Sequence, residues 1–600
     1  MLILCALFIT QRGEALVYRN PLPHVRNRLF CRFAAKTKAA ATERWLGPTT
    51  SMSATPDTEG KPDNIKVVMK FGGSSLADAE RIKFVAGIIA QQRHDVGVDP
   101  MVVCSAMGSS TNQLLAAGDL ALDGELCIDG VRKLHLNTCD TLAVPEETRA
   151  DITALLTELE KLLSGILYLG ELSPRSRDLL VSFGERMSVR LLAAQLNAIG
   201  IPAKAFDSWD IGLRTTSDFG GAEILPNSYR AIRKAVSAVH DKRTHNADIE
   251  RGNEDRLLVP VVTGFIAQDD KGHVTTLGRG GSDLTAAVLG AACGLDEIQV
   301  WKDVDGMLTA DPRMVPTAVP VSSITFVEAS ELAYFGAKIL HPISMQPAAH
   351  YNIPVRIKNS YNPDHPGTVI TDTVSRSEDH LVTAITTKAD QTVVDSMFIV
   401  LTVCSNSHHF HNHLCIVFPV LLHLYIFLVT STRMLGQYGF LAQVFKLFKK
   451  YKLSVDVVAT SEISISLTLS TTSNSERQQA VRSLVEEMTT PPSSLALHSA
   501  SAASFLSERS GMADVVVRES RAIISLIANV DRSSDVMAGL FQVLTKEKVQ
   551  VEMLSQGASK VNISLIVKNE DLKKATRAIH DYFFAAEVAV AGPFVPPPAK

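Results

Sequence analysis

The stretch VPVVTGFIAQDDKGHVTTLGRGGSDLTAAVLGAACG, residues 259–294, constrains this chain more than any other. Its apolar, β-branched start gives a strand, DDKG a hairpin-like turn, and TTLGRGGSD a glycine-rich turn that enters an alanine-rich helix. Arg279 stands between glycines, poorly placed for packing but well placed to grip a carboxylate or phosphate with its planar fork. Asp283 falls in the first helical turn, where a carboxylate either complements the helix dipole or serves a ligand.

The same strand–turn–helix order recurs upstream. IKVVMKFGGSSLADAERIKFVAGII (65–89) is a strand, a Gly72-Gly73 turn and a helix capped by Ser74 or Ser75, with Lys70 at the strand's end. Glycines let backbone N–H groups approach a phosphate, and a helix N-terminus favours its charge. PMVVCSAMGSSTNQLL (100–115) places Ser105 after a buried strand and Thr111 at a helix start. LLVSFGERMSVRLLAAQLNAIGIPAKAF (179–206) reads as a strand-like run and then an amphipathic helix with Glu185 near its start. Spacing leaves Glu185 open between a solvated charge and a ligand-facing one. In EIQVWKDVDGMLTADPRMVP (297–316), Asp303, Asp305 and Asp311 sit on an irregular turn without the terminal glutamate of an EF-hand. With Lys302, Arg313 and the later Lys338 the charge is mixed, which suits a magnesium–polyphosphate better than calcium.

Several classes drop out. A formal net charge of −4 gives no electrostatic reason to expect nucleic acid or an anionic membrane as partner. No GxxxxGK[ST] or GxGxxG occurs, and the DFG triplet at 218–220 lacks the companion kinase motifs. The eight cysteines form no CxxC pair, which suits a reducing compartment.

Beyond residue 380 the pattern changes to short β–α–β units. GFLAQVFKLFKKYKLSVDVVATSEISISLTL and VMAGLFQVLTKEKVQVEMLSQGASKVNISLIV resemble each other, an internal repeat of a ferredoxin-like βαββαβ unit.

Taken in order, KFGGSSLADAERI, SFGERMS, TLGRGGSDLTA, WKDVDGMLTADPR and FGAKILHP closely resemble the aspartate kinases of the amino-acid kinase superfamily. The resemblance covers roughly 65–590, and STRMLGQYGFLAQVF looks most like the plant-type monofunctional, lysine-sensitive members. It implies an α/β fold: a three-layer α/β/α sandwich with a mostly parallel sheet over 65–375, then two ferredoxin-like ACT domains at 380–515 and 516–590. It implies transfer of the ATP γ-phosphoryl to the side-chain carboxylate of L-aspartate, with Mg²⁺ on the nucleotide. Lys70 and Asp283 would be catalytic, and Ser105, Thr111, Glu185 and Arg279 would bind aspartate. Gly72, Gly73, Ser74, Lys302, Asp303, Asp305, Arg313 and Lys338 would bind the nucleotide. An amino-acid effector, L-lysine by the same resemblance, would meet Met434, Gln437, Gly439, Phe440, Leu441, Val455, Asp456, Ser461 and Glu462. ACT domains imply a homodimer or higher homo-oligomer. An amino-acid sensor without kinase activity is the competing reading, and the intact Lys70, Arg279 and Asp283 disfavour it.

Two segments stand outside this plan. Residues 1–64 read as targeting peptide and linker: the first 50 carry eight Arg/Lys against two Glu, which points to a plastid, with a cytoplasmic protein as the alternative. SNSHHFHNHLCIVFPVLLHLYIFLV (405–429) interrupts the first ACT strand. Its apolar part is 16 residues and holds Pro419 and His423, short of the roughly 20 that span a bilayer. His408, His409, His411 and His413 have no ligand-like spacing. Removing the 33 residues Ser396–Leu428 joins TVVD to VTSTRMLGQYG and restores strand and loop, so the segment reads as an insertion, either of the kind a retained intron leaves or a real lineage-specific loop.

Overall fold

The computed structural model describes residues 65–241, 258–336, 340–376, 380–394, 425–430, 439–460, 464–469, 475–489, 514–557 and 561–591. The first part is an eight-stranded sheet of β1 (Ile65–Phe71), β2 (Val98–Cys104), β3 (Ala203–Phe206), β4 (Val259–Thr263), β5 (Glu297–Lys302), β6 (Ser323–Thr325), β7 (Val355–Asn359) and β8 (Thr368–Thr371). Its spatial order is β6-β8-β7-β5-β1-β2-β4-β3, and every pairing is parallel except β7–β8. Helices α1 (Ala79–His94), α2 (Ser110–Leu122), α3 (Asp129–Leu142), α4 (Glu146–Leu169), α5 (Pro174–Ala198), α6 (Asn227–Asp241), α7 (Gly281–Cys293), α8 (Phe326–Tyr334) and α9 (Pro342–His350) complete it.

The period-2 alternation of β1 makes this a three-layer sandwich. Val67, Met69 and Phe71 enter one core with helices α1 to α5, whereas Val68 enters the other with the Ala286, Ala287 and Leu289 face of α7. Lys70 belongs to the Val68 face by the same alternation. A sheet covered on both sides reads as apolar runs without alternation, as Val67–Met69 of β1, Met101–Cys104 of β2 and Val259–Val262 of β4 do.

Two local expectations differ. The serines after Gly73 form a single 3₁₀ turn, Ser74–Leu76, and the cap of α1 is Asp78, whose carboxylate accepts from the Arg81 amide. The run 179–183 is not a strand: α5 begins at Pro174, with Ser173 as its N-cap, and carries Glu185 in its middle. Its central turns are buried nearly all round, which erases the amphipathic period.

The C-terminal part holds a seven-stranded antiparallel sheet of β9 (Val382–Val394), β10 (Tyr425–Thr430), β11 (Val455–Thr460), β12 (Ser464–Leu469), β13 (Asp514–Ala528), β14 (Met553–Gln556) and β15 (Asn562–Lys568). Helices α10 (Phe440–Lys450) and α11 (Ser475–Thr489) cover the first repeat, and α12 (Ser533–Lys546), α13 (Leu572–Phe583) and α14 (Ala585–Ala591) the second. The repeats are interleaved, contrary to the sequential boundaries expected. Residues 382–388 of β9 pair with Ile523–Ala528 and so complete the second repeat. Strand β13 serves both, pairing with β10 over 514–518 and with β15 over 521–527.

Residues 396–424 of the inserted segment lie outside the described residues, but its last four, Tyr425–Leu428, belong to β10, and the pairing on its two sides records its length. Val393 and Ile426 both stand opposite Thr468 of β12 and opposite Arg518 of β13. Val394 and Phe427 likewise share Val517. The two flanks have the same register, 33 residues apart.

Candidate active site

In a parallel sheet, ligands gather beyond the carboxyl ends of the strands. Lys70 is the penultimate residue of β1, Ser105 follows β2, Gly264-Phe265 follow β4 and Lys302 ends β5. The glycine-rich turn 278–280 closes this edge and hands over to α7, whose N-cap Gly280 has φ 76. A side chain at Gly280 would strike His341, because a Cβ there comes within 2.6 Å of the His341 Cβ. Across the sheet edge, a Cβ on Gly73 would lie 2.9 Å from the carbonyl oxygens of Ala106 and Gly108, so the two turns pack backbone to backbone.

Lys70 Nζ lies 2.7 Å from Asp283 Oδ1, and Lys302 Nζ 3.7 Å from Asp283 Oδ2. The side chains of Lys70 and Asp283 are 8% and 9% exposed. Burial pushes the Asp283 carboxyl up, but Lys70 and Lys302 outweigh it and hold it below the usual range. Burial lowers the Lys302 ammonium, opposed by Asp283 and reinforced by Lys70. Asp283 thus meets two cations, Lys70 in the cleft and Lys302 beside it.

Glu185 is fully buried on α5. Its Oε1 accepts from the Ala106 amide at 3.2 Å, while Oε2 has no partner among the described residues. Burial raises its pKa to about 8. Ser105 Oγ donates to Ser282 Oγ at 3.0 Å. Thr111 stands in the first turn of α2, and Arg279 is exposed on its turn. Lys70, Ser105, Thr111, Glu185, Arg279 and Asp283, dispersed over more than 200 residues of sequence, line one cleft of about 310 Å³.

The nucleotide set is more spread out. Asp303 is exposed, and Asp305 accepts from Asn359 Nδ2 at 2.9 Å and Asn362 Nδ2 at 3.0 Å. Arg313 is exposed and paired with Asp311 at 2.6 Å, which holds the Asp311 carboxyl down. Gly72 and Gly73 accept from the Ser75 and Leu76 amides within the turn, and Ser74's carbonyl accepts from the Tyr361 hydroxyl. Lys338 lies outside the described residues.

Of the effector set, Met434, Gln437, Ser461 and Glu462 also lie outside them. Gly439 caps α10 with φ 83, followed by buried Phe440 and exposed Leu441. Val455 and Asp456 open β11, and Asp456 Oδ2 is 2.7 Å from Lys388 Nζ.

Sequence reasoning missed Phe265, Asn359 and Asn362. Phe265 lines the cleft at φ 67, a conformation costly for a bulky side chain, and its amide donates to Thr285 Oγ1 at 3.2 Å. Gly264 before it is the one signal in the sequence, since a Cβ there would meet Ser282 at 2.7 Å. Among the described residues no helix is long and apolar enough to cross a membrane.

A mostly parallel α/β/α sandwich with a lysine–aspartate pair and a glycine-rich helix start at one strand edge defines an amino-acid kinase. Residues 66–359 match the amino acid kinase family, and 524–583 match an ACT domain. The chain is 44% identical over 541 residues to the chloroplastic aspartokinase 2 of Arabidopsis thaliana, covering 89% of this chain and 87% of that one. Escherichia coli aspartokinase III superposes in its complex with aspartate and ADP at TM-score 0.61 and in its complex with lysine and aspartate at 0.63. Each has 29% identity and covers 86% of this chain and 99% of that one. The chain belongs to the aspartokinase family, and it is an ATP-dependent aspartate kinase.

Proposed function

We propose that the cleft lined by Lys70, Glu185 and Arg279 binds L-aspartate for phosphorylation on its side-chain carboxylate. The supporting observation is that one buried carboxylate oxygen (Glu185 Oε2), one exposed guanidinium (Arg279) and one buried ammonium (Lys70) converge on a single cavity. These are the complements of the three charged groups of aspartate. Glu185 receives its ammonium, Arg279 clamps its α-carboxylate, and Lys70 faces the carboxylate that reacts. Ser105 and Thr111 supply hydroxyls to the same pocket.

The reacting carboxylate is already a nucleophile, so no general base is needed. Phosphoryl transfer asks for alignment and for neutralisation of charge on the transferring group. Lys70 supplies that charge, and Asp283 fixes its position while leaving Lys302 beside it. The nucleotide lies along Gly72–Ser74 and the loop 302–313, its phosphates toward Lys302. Mg²⁺ bound to those phosphates would neutralise charge on the leaving group. Asp303 and Asp305 are the carboxylates of this loop that suit it, one exposed and one oriented by two amides.

Gly439–Leu441 and Val455–Asp456 form the described part of an effector site for L-lysine, in a homo-oligomer assembled through the ACT sheet. The complex of the Escherichia coli enzyme with lysine supports this ligand. The chloroplastic relative and the basic first 50 residues support a plastid address. Aspartate-dependent ADP release, with the acyl phosphate trapped by hydroxylamine, tests the reaction. ADP release that ignores aspartate would sink it.

A further inference from the structure

The nucleotide loop is held at two ends by two different parts of the chain. On the kinase side, Asn359 and Asn362 fix the carboxylate of Asp305. Beyond it, Thr309 and Met314 reach partners in the second ACT repeat. Thr309 Oγ1 lies 2.9 Å from His580 Nε2 on α13, and the Thr309 carbonyl accepts from the Ile385 amide on β9 at 2.7 Å. The Met314 carbonyl accepts from Arg577 Nε at 2.7 Å, and the Met314 side chain packs on the apolar core of that repeat.

His580 is fully buried, its ring stacked on Phe584 with centroids 4.7 Å apart. Its Nδ1 has no partner among the described residues, so its polar contact with its surroundings is the one to Thr309. A buried polar ring retained for a single hydrogen bond across a domain boundary is costly, since phenylalanine would fill the same space without an orphaned nitrogen. Thr309 Oγ1 in turn accepts from the Val319 amide at 3.0 Å, so the contact reaches both limbs of the 309–319 turn. A neutral imidazole suffices for this, and burial lowers the His580 pKa in keeping with that form.

We infer that His580 is a positioning residue for the nucleotide: through Thr309 it sets the loop that carries Asp303, Asp305 and Arg313. The inference rests on the nucleotide placement proposed above. It makes the second ACT repeat a wall of the ATP site and gives movement of α13 a direct route to nucleotide affinity, without passage through the aspartate pocket. Ile385 of β9 adds to the same route, because β9 continues toward Lys388 and its contact with Asp456.

The experiment is steady-state kinetics on the full chain with His580→Phe, His580→Gln and Arg577→Met. Phenylalanine keeps the stack on Phe584 and removes the hydrogen bond; glutamine restores a terminal amide where Nε2 lies. His580→Phe is expected to raise the KM for ATP about tenfold, with the KM for aspartate and kcat within about twofold, and His580→Gln to recover most of the loss. Arg577→Met is expected to move the same constant in the same direction, and serves if His580→Phe does not fold. Unchanged ATP KM, or equal rises for both substrates, would overturn the inference. Asp305→Ala is the control: if it leaves the ATP KM unchanged, the nucleotide placement itself is wrong, whatever His580 does.

Discussion

Lys388 Nζ lies 2.7 Å from Asp456 Oδ2, and the hydroxyl of Tyr334, on kinase helix α8, reaches the other oxygen of that carboxylate at 3.4 Å. Asp456, a carboxylate of the expected effector set with its side chain 7% exposed, is therefore met by the chain's own lysine. A free lysine bound there must exchange one ammonium for another. Lys388→Met is expected to lower the half-inhibitory lysine concentration about fivefold, the worth of one partly exposed ion pair. Activity without lysine should stay near normal. An inhibition titration measures it, and an unchanged midpoint in an enzyme that does respond to lysine would count against the exchange.

Lys70 and Asp283 form the buried pair at the centre of the cleft. Lys70→Ala should reduce kcat by roughly two to three orders of magnitude, the scale of losing one preorganised charge on a transferring group. Asp283→Asn should cost about tenfold to a hundredfold, since it leaves both lysines present but unoriented. Circular dichroism and thermal melting should show both variants folded. Near-normal turnover in Lys70→Ala would remove this lysine from the mechanism.

Glu185 gives a pH dependence with a definite sign. In the free enzyme its pKa is about 8, raised by burial. An incoming ammonium stabilises the carboxylate, so the proton must leave on binding. Below pH 8 the KM for aspartate should rise, approaching about tenfold per pH unit, while kcat stays flatter. Linkage also acts on the free protein. A carboxyl whose folded pKa exceeds its unfolded one contributes most stability below the unfolded value of about 4.5 and loses it as pH rises toward 8. Glu185→Gln should flatten the KM profile and raise it overall. A wild-type aspartate KM that is constant from pH 6 to 9 would exclude this role.

The cleft was legible because its residues sit at strand ends and helix starts, where glycine, serine and charge break the apolar pattern. Lys70 could be placed by alternation alone: it shares a face with Val68, and that face packs on α7, which begins at Gly281 two residues before Asp283. What failed was non-local or uniformly buried. Helix α5 looked like a strand over 179–183 because its neighbours bury every side of it. Residues 382–388 looked like part of the first repeat because pairing with 523–528 leaves no trace in local sequence. Phe265 left no signal beyond the glycine before it, since its positive φ goes with Gly264 packing on Ser282 and with the bond to Thr285.

The shared register of Val393 and Ile426 predicts what removal of Ser396–Leu428 would do. In the shortened chain Val394 keeps its place opposite Val517, Asp395 takes the position of Leu428 opposite Val516, and Val429 stays opposite Val515. The strand register beyond the junction is unchanged, because the deletion length matches the offset between the two pairings. Holding Val394 and Tyr425 together across the 30 residues between β9 and β10 costs about 3 kcal/mol of chain entropy, which the shortened chain does not bear. The deletion variant should therefore melt several degrees higher, keep its kcat, and respond to lysine at lower concentration, because β10 leads directly into the loop before Gly439. Differential scanning calorimetry with a lysine titration on both chains measures this. A deletion variant that melts lower, or loses its lysine response, would show that the segment contributes to the regulatory sheet.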